Sequence, residues 1–256
     1  LAVTGKTTMA ATGTITLDNL HQFGGAVGVT SGTDLILHDT NALELSGVDI
    51  SGDLTLTAEG AITQSAGSSI LVGGAADVAT TGGAAVTLNE AANDFSGVLS
   101  LVTTGAAKIT DATALSLDGS LGTTLDVTAG GLVGFGATMV TGAVTVATTD
   151  GIAQSGAVTF NSTAVLSAGA TITLQNAANQ FTGVVTLNAG GDASLVAVDA
   201  VSVEGLLDNG LSIHANGAVD LGDLHVEDDL VIVAHGDIVQ SEADDALYIG
   251  GQTTLT

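Results

Sequence analysis

Twelve of the 27 acidic residues fall in the 47 residues from Asp199 to Asp245. Oxygen at that density is what a Ca²⁺ ion requires, since it takes about six to eight oxygen ligands in adaptable geometry. The candidate ligands are Asp228, Asp229, Asp237, Asp244 and Asp245. The tandem Gly-Gly-x-Gly-x-Asp nonapeptide of calcium-binding rolls is absent, however. A solvated acidic face is therefore the plainer expectation: no cofactor, with weakly held Ca²⁺ as the alternative. If Ca²⁺ is held, chelation lowers the melting temperature at low salt. The five histidines are His21, His38, His214, His225 and His235, three of them in the acidic third, where carboxylates could share a transition metal with imidazole. Their spacings of 11 and 10 set no common face, so isolated surface histidines are expected.

Catalysis finds little to work with. There is no Arg, Cys or Trp, and Lys6 and Lys108 stand a hundred residues apart. A polysaccharide lyase or hydrolase needs a cation, or a carboxylate pair in an aromatic-lined groove. The adjacent Asp228 and Asp229 would point to opposite sides of a strand. No nucleophile elbow surrounds a serine, and no glycine loop leads into a helix to cradle phosphate. The chain is expected not to be an enzyme. Thr-x-Thr runs at Thr12, Thr14 and Thr16, at Thr55 and Thr57, and at Thr171 and Thr173 have the spacing of an ice-binding face. Leu115-Ser-Leu117 and Val231-Ile-Val233 would interrupt any such row.

Composition narrows the partners. A formal charge of −25 repels nucleic acid and anionic membranes. No uncharged apolar run of membrane-spanning length occurs, and five Phe and one Tyr are too few for the girdles of a membrane barrel. The expected partners are other protein surfaces or copies of this chain, with an extracellular receptor or glycan engaged through other regions. A hydrophobic content of 45% argues for a folded chain. The start at Leu1, without Met, reads as a processed or excised piece of a longer protein.

The elements that position these residues come from an internal repeat. Val86-Thr-Leu-Asn-Glu-Ala-Ala-Asn-Asp-Phe95 returns as Ile172-Thr-Leu-Gln-Asn-Ala-Ala-Asn-Gln-Phe181, and more loosely as Ile15 to Phe23. Ile62-Thr-Gln-Ser65 returns as Ile152-Ala-Gln-Ser155 and Ile238-Val-Gln-Ser241. Ala42-Leu-Glu-Leu-Ser-Gly47 returns as Ala114 to Gly119 and Ala200 to Gly205. The interval from the Ala of the third block to the Gln of the second is the same in two copies, Ala114 to Gln154 and Ala200 to Gln240. In the first copy, Ala42 to Gln64, it is little more than half as long. A loss of that size between intact blocks is what a solenoid tolerates, by dropping one coil and closing up. The full unit, from Phe95 to Phe181, would hold four or five coils.

Between corners of Gly, Asn and Asp, short runs alternate aliphatic with polar residues, as at Leu54 and Leu56, Val144 and Val146, or Leu211 and Ile213. A period of two means one side in and one side out. The spacing predicts an all-β, parallel β-helix (β-solenoid) with coils of about 17–21 residues. It would run as a single continuous solenoid over 1–256, with repeat units near 13–55, 56–141, 142–227 and 228–256. Phe23, Phe95 and Phe181 are expected to pack in the core or at corners. The helix-like patches Asn89 to Asn93 and Asp244 to Leu247 are too short for stable helices and read as corners.

The blocks Gly60 to Ser65 and Val86 to Phe95 resemble those of the filamentous-haemagglutinin-like family of bacterial surface proteins, including very long β-strand-repeat adhesins. The likeness runs from about Gly13 to Thr256. It implies a right-handed β-helix, export by a two-partner or autotransporter route, and a place outside the cell. On that resemblance the segment would be the structural rod or stalk of an adhesin, and otherwise the subunit of a self-assembling extracellular filament or matrix.

Overall fold

The structure is a computed structural model and describes residues 1–242 and 245–256. Among the described residues the regular elements are all strands, stacked in parallel as a β-solenoid. Two compact units divide the chain, Leu1–Gly130 and Gly131–Thr256.

In the first unit one sheet runs through Ala2–Val3, Ile15–Phe23, Leu35–Asp39, Leu54–Ala58, Ala76–Thr80, Val98–Thr103 and Leu115–Leu121. The facing sheet runs through Thr7–Ala10, Val27–Ser31 and the long strand Leu43–Ile50. Two short strands then lie end to end on Leu43–Ile50: Ile62–Gln64 on its first half and Ile70–Val72 on its second. Val86–Leu88 and Asp94–Phe95 repeat that split, and Ala107–Asp111 and Leu125–Ala129 complete the sheet.

The second unit has the same plan. Val133–Val140 carries the split pair Ile152–Gln154 and Val158–Phe160, followed by Ile172–Leu174 with Gln180–Phe181. Ala193–Ala197, Leu211–Ala215, Leu230–Ala234 and Thr253–Leu255 continue that sheet. Opposite it stand Val144–Thr148, Ala164–Ala168, Val184–Ala189, Val201–Leu207 and Val219–Val226. Val219–Val226 bears the split pair Ile238–Val239 and Leu247–Ile249.

Alternation does what period two requires. Each of the aliphatic pairs named from the sequence, such as Leu54 with Leu56 and Leu211 with Ile213, is buried between the two sheets. Coil length varies more widely than expected from spacing. Ala107 sits on Leu125 and Ile62 on Val86, so the second of these coils is longer than the first by a third. The difference is the loop that separates the halves of a split strand, which lengthens a coil without widening its interior. Between Ala200 and Gln240 the chain makes five strands, and between Ala42 and Gln64 only three. The segment missing from the first copy is therefore one coil of two strands.

The repeat holds an odd number of strands. In the second unit, Val144–Thr148 and Leu230–Ala234 occupy equivalent places one repeat apart, yet they belong to opposite sheets. Ile152–Gln154 and Ile238–Val239 are exchanged in the same way. With each split pair taken as one strand, nine steps lead from Val144–Thr148 to its equivalent, so the unit is four and a half coils.

Each repeated block has a structural task. The glycine ending the third block has φ of +117° at Gly47, +134° at Gly119 and +136° at Gly205. That conformation suits only Gly, and at Gly119 and Gly205 a Cβ would also collide with the Leu101 or Leu187 carbonyl of the preceding coil. The Gln of the second block, half-buried, and the last Asn of the first, fully buried, form an amide pair. Gln64 Nε2 donates to Asn93 Oδ1 (2.6 Å) and Asn93 Nδ2 donates back to Gln64 Oε1 (2.9 Å). Asn93 also accepts from the Ile70 N–H and donates to the Leu88 carbonyl, filling the gap in the split strand. Gln154 and Asn179 repeat the pair at 2.8 Å in each direction, with the Val158 N–H and the Leu174 carbonyl.

Phe23, Phe95 and Phe181 are buried. Phe181 belongs to a column in which Phe135, Phe160 and Phe181 meet edge to face on successive coils, with ring centres 5.7 and 5.9 Å apart. Asn89 to Asn93 forms a tight corner, with the Asn93 N–H on the Glu90 carbonyl. Of the other helix-like patch, Leu247 opens a strand, and Asp244 lies outside the described residues.

Candidate functional site: grooves beside the bulged strands

Two long strands carry a bulge of the same kind. On Leu43–Ile50, Val27 pairs with Leu45 but Val29 with Val48, so Ser46 and Gly47 together oppose Gly28. On Val219–Val226, Val203 pairs with Leu221 but Gly205 with Leu224, so Gly222 and Asp223 oppose Glu204. A bulge bends its strand and re-aims the neighbouring side chains. The next coil is the split one, whose loop leaves the outer side of the bend uncovered. A groove results in each unit at the same place in the repeat.

The linings differ. The groove of the first unit encloses about 280 Å³ among Lys6, Thr8, Thr30, Ser46, Asp49 and Ser69. The Ser46 hydroxyl is buried there without a hydrogen-bond partner in the protein. In the second unit the groove encloses about 330 Å³ and is lined by Leu206, Asp223, Leu224, His225, Leu247 and Tyr248. Leu206, His225 and Tyr248 are neighbours in register on three successive coils. The His225 and Tyr248 rings stack with centres 4.4 Å apart and 22° between planes. His225 Nε2 lies 2.7 Å from Glu227 Oε1.

The acids of the last third are spread over strands and corners, and several hold the next coil. Asp229 Oδ1 accepts the Gln252 N–H at 2.7 Å. Asp220 accepts both the N–H and the hydroxyl of Ser241, and Asp223 Oδ1 accepts the Ala246 N–H. The first unit uses the same device: Asp34 accepts from the Asp53 N–H and Asp53 from the Ala75 N–H. The bond from the Asp53 N–H, with that from the Thr14 hydroxyl, lowers the pKa of Asp34. Asp228 and Asp237 are exposed at corners, and their backbone carbonyls accept from Gly251 and Val219. Asp245 Oδ2 accepts the Glu242 N–H. Asp244 lies outside the described residues. Among the described residues no three His, Asp or Glu side chains converge as a metal would require.

Of the histidines, His214 and His235 meet edge to face across adjacent coils, with ring centres 6.0 Å apart. The interval between them is one coil, a relation that comparing consecutive histidines misses. His21 is buried at the place Asn93 holds in its copy, tilted against Phe23. His38 is half-buried on Leu35–Asp39. Lys108 is paired with Asp126 at 2.6 Å on an outer side.

Two acids that the sequence does not single out are buried. Asp111 Oδ2 accepts the Phe95 N–H at 2.8 Å, and Oδ1 accepts the Thr113 N–H at 2.7 Å. Asp39 holds the Phe23 and Asn41 N–H groups in the same way. Desolvation raises both pKa values against the opposing pull of these hydrogen bonds. Each follows its Phe at the same interval, Phe23 to Asp39 and Phe95 to Asp111; in the third copy that place is Ala197. The recurring Phe-to-Asp interval was the available signal.

A family model described as repeats of unknown function (DUF5649) matches residues 1–30, 32–102, 131–188 and 208–256. No curated protein and no solved structure matches the chain.

Proposed function

This chain belongs to the DUF5649 family of repeats, and from that premise we propose that it is a structural rod or stalk segment of a secreted or cell-surface bacterial adhesin, without enzymatic activity. The observation that carries the reading is where the repeated residues are spent. The Gly bends, the Gln–Asn pairs and the corner carboxylates all join one coil to the next. In a solenoid, stability is approximately a sum of coils and of interfaces between neighbouring coils, so such residues stiffen the stack. The grooves offer contact rather than bond-breaking, one lined by hydroxyls and Lys6, the other by Leu206 and two rings.

The likeness to filamentous-haemagglutinin-like blocks supports the extracellular placement. So does the scarcity of basic residues, which leaves trypsin-like proteases two target side chains in 256 residues. A net charge of −25 keeps copies apart in solution. Antibodies against the chain, applied to intact producing cells, test the placement: labelling of unbroken cells or of the medium is expected. Signal appearing only after lysis would overturn it.

A further inference from the structure

We infer that the groove formed by Leu206, His225 and Tyr248 is a docking site for a Lys- or Arg-bearing, apolar peptide segment of a partner protein. Outward positions along this solenoid are mostly Thr, Ser, Asp and Ala. Here Leu206, Leu247 and Tyr248 are 63%, 44% and 51% exposed in one contiguous patch. The fold does not demand it. At the equivalent place one repeat earlier the paired residues are Met139 and Thr159, and in the first unit Asp49 and Leu71. The His225–Tyr248 stack is thus specific to this groove, and the chain's one tyrosine stands in it.

Charge selects the occupant. Asp223 lines the groove and Glu227 holds the edge of His225, while residues 131–256 contain fourteen acids and neither lysine. An acidic segment would be repelled by those carboxylates, and a neutral apolar one would bring them no counter-charge. A Lys or Arg side chain can lay its aliphatic stem on Leu206 and the rings and carry its cation to the carboxylates. The occupant has to be a segment rather than a free cation, because the patch offers apolar area across three coils as well as charge.

Tyr248 makes the test specific. With one Tyr and no Trp, the chain's tyrosine fluorescence comes from this groove alone. Titration of the full chain with an aromatic-free Lys-Leu-Lys-Leu-Lys peptide is expected to give a saturable change in emission. A Glu-Leu-Glu-Leu-Glu peptide and spermidine are expected to give none over the same range. Calorimetry on Leu206→Ser, Tyr248→Ser and Glu227→Gln should show affinity for the basic peptide falling about tenfold each, the size of a centrally placed contact. Asp150→Asn, an exposed charge at a distant corner, should leave it unchanged. These substitutions are at exposed positions, and circular dichroism checks that each variant keeps its sheet. No emission change with the basic peptide, equal binding of spermidine, or undiminished binding by Leu206→Ser and Tyr248→Ser would each overturn the proposal.

Discussion

Asn93 and Asn179 each satisfy a carbonyl that ends the first half of their own split strand, an N–H that begins the second half of the split strand on the preceding coil, and an amide from that coil. Replacing either by Ala strands a buried N–H and a buried carbonyl, each costing about 1–3 kcal/mol. A loss of about 3 kcal/mol is expected in chemical denaturation of Asn179→Ala. Glycines should separate by context. Gly205→Ala meets both a forbidden φ and the Leu187 carbonyl, and should cost more than about 3 kcal/mol. Gly67→Ala has φ of +71° with open space around it, and should cost about 1–2 kcal/mol. The repeated letters were readable in the sequence; their tasks were not. Gln64 and Asn93 are 29 residues apart, and only the coil length tells that they meet.

Buried carboxylates set a pH dependence at the same scale. With their pKa values raised by folding, Asp39 and Asp111 bind a proton more tightly in the folded state than at the ordinary 3.8 of the unfolded chain. Their contribution to stability therefore grows as pH falls from 7 through the raised values toward 3.8, and is level below that. Asp34, with its lowered value, contributes the opposite: stability present above 3.8 and lost as pH drops through that lowered value. Thermal melts should rise from pH 7 toward 3.8 and turn down at lower pH. Asp111→Asn should flatten the rise, and Ala197 in the third copy shows that the fold accepts an uncharged residue at this place.

At the scale of strands, the unit that can be removed is a coil. Ala193 pairs with Leu211, so deleting 193–210 brings Leu211–Ala215 onto Ile172–Leu174 with its alternation intact. That variant should remain folded, with sheet-rich circular dichroism and a cooperative melt. Deleting 193–200 instead moves each later strand to the opposite sheet, so that the long strand Val201–Leu207 must stack on the short Ile172–Leu174, and should lower the melting temperature more than removal of the whole coil does. Period two, the corners and the missing coil of the first copy were all legible from spacing. The grooves were not: the one extra residue at Ser46–Gly47 or at Gly222–Asp223 looks like an ordinary corner letter, and only pairing with Gly28 or Glu204 shows a bulge. The His214–His235 contact was hidden in the same way, since it depends on knowing which residue lies one coil above.

For the molecule as a whole, charge opposes compaction. With 27 acids and two lysines, self-repulsion is strong at low ionic strength. Raising NaCl from about 10 to about 150 mM shortens the screening length from about 30 to about 8 Å. The melting temperature should climb over that range, and a flat response would mean that the corner hydrogen bonds already neutralise the field locally. The half-integer count of coils reaches further. Any outward trait that recurs once per repeat must emerge alternately from the two sheets, front and then back. An array of such repeats would show an antibody or a partner the same epitope on both broad sides, spaced on either one at twice the axial length of the repeat, and could bridge two surfaces without any second kind of subunit.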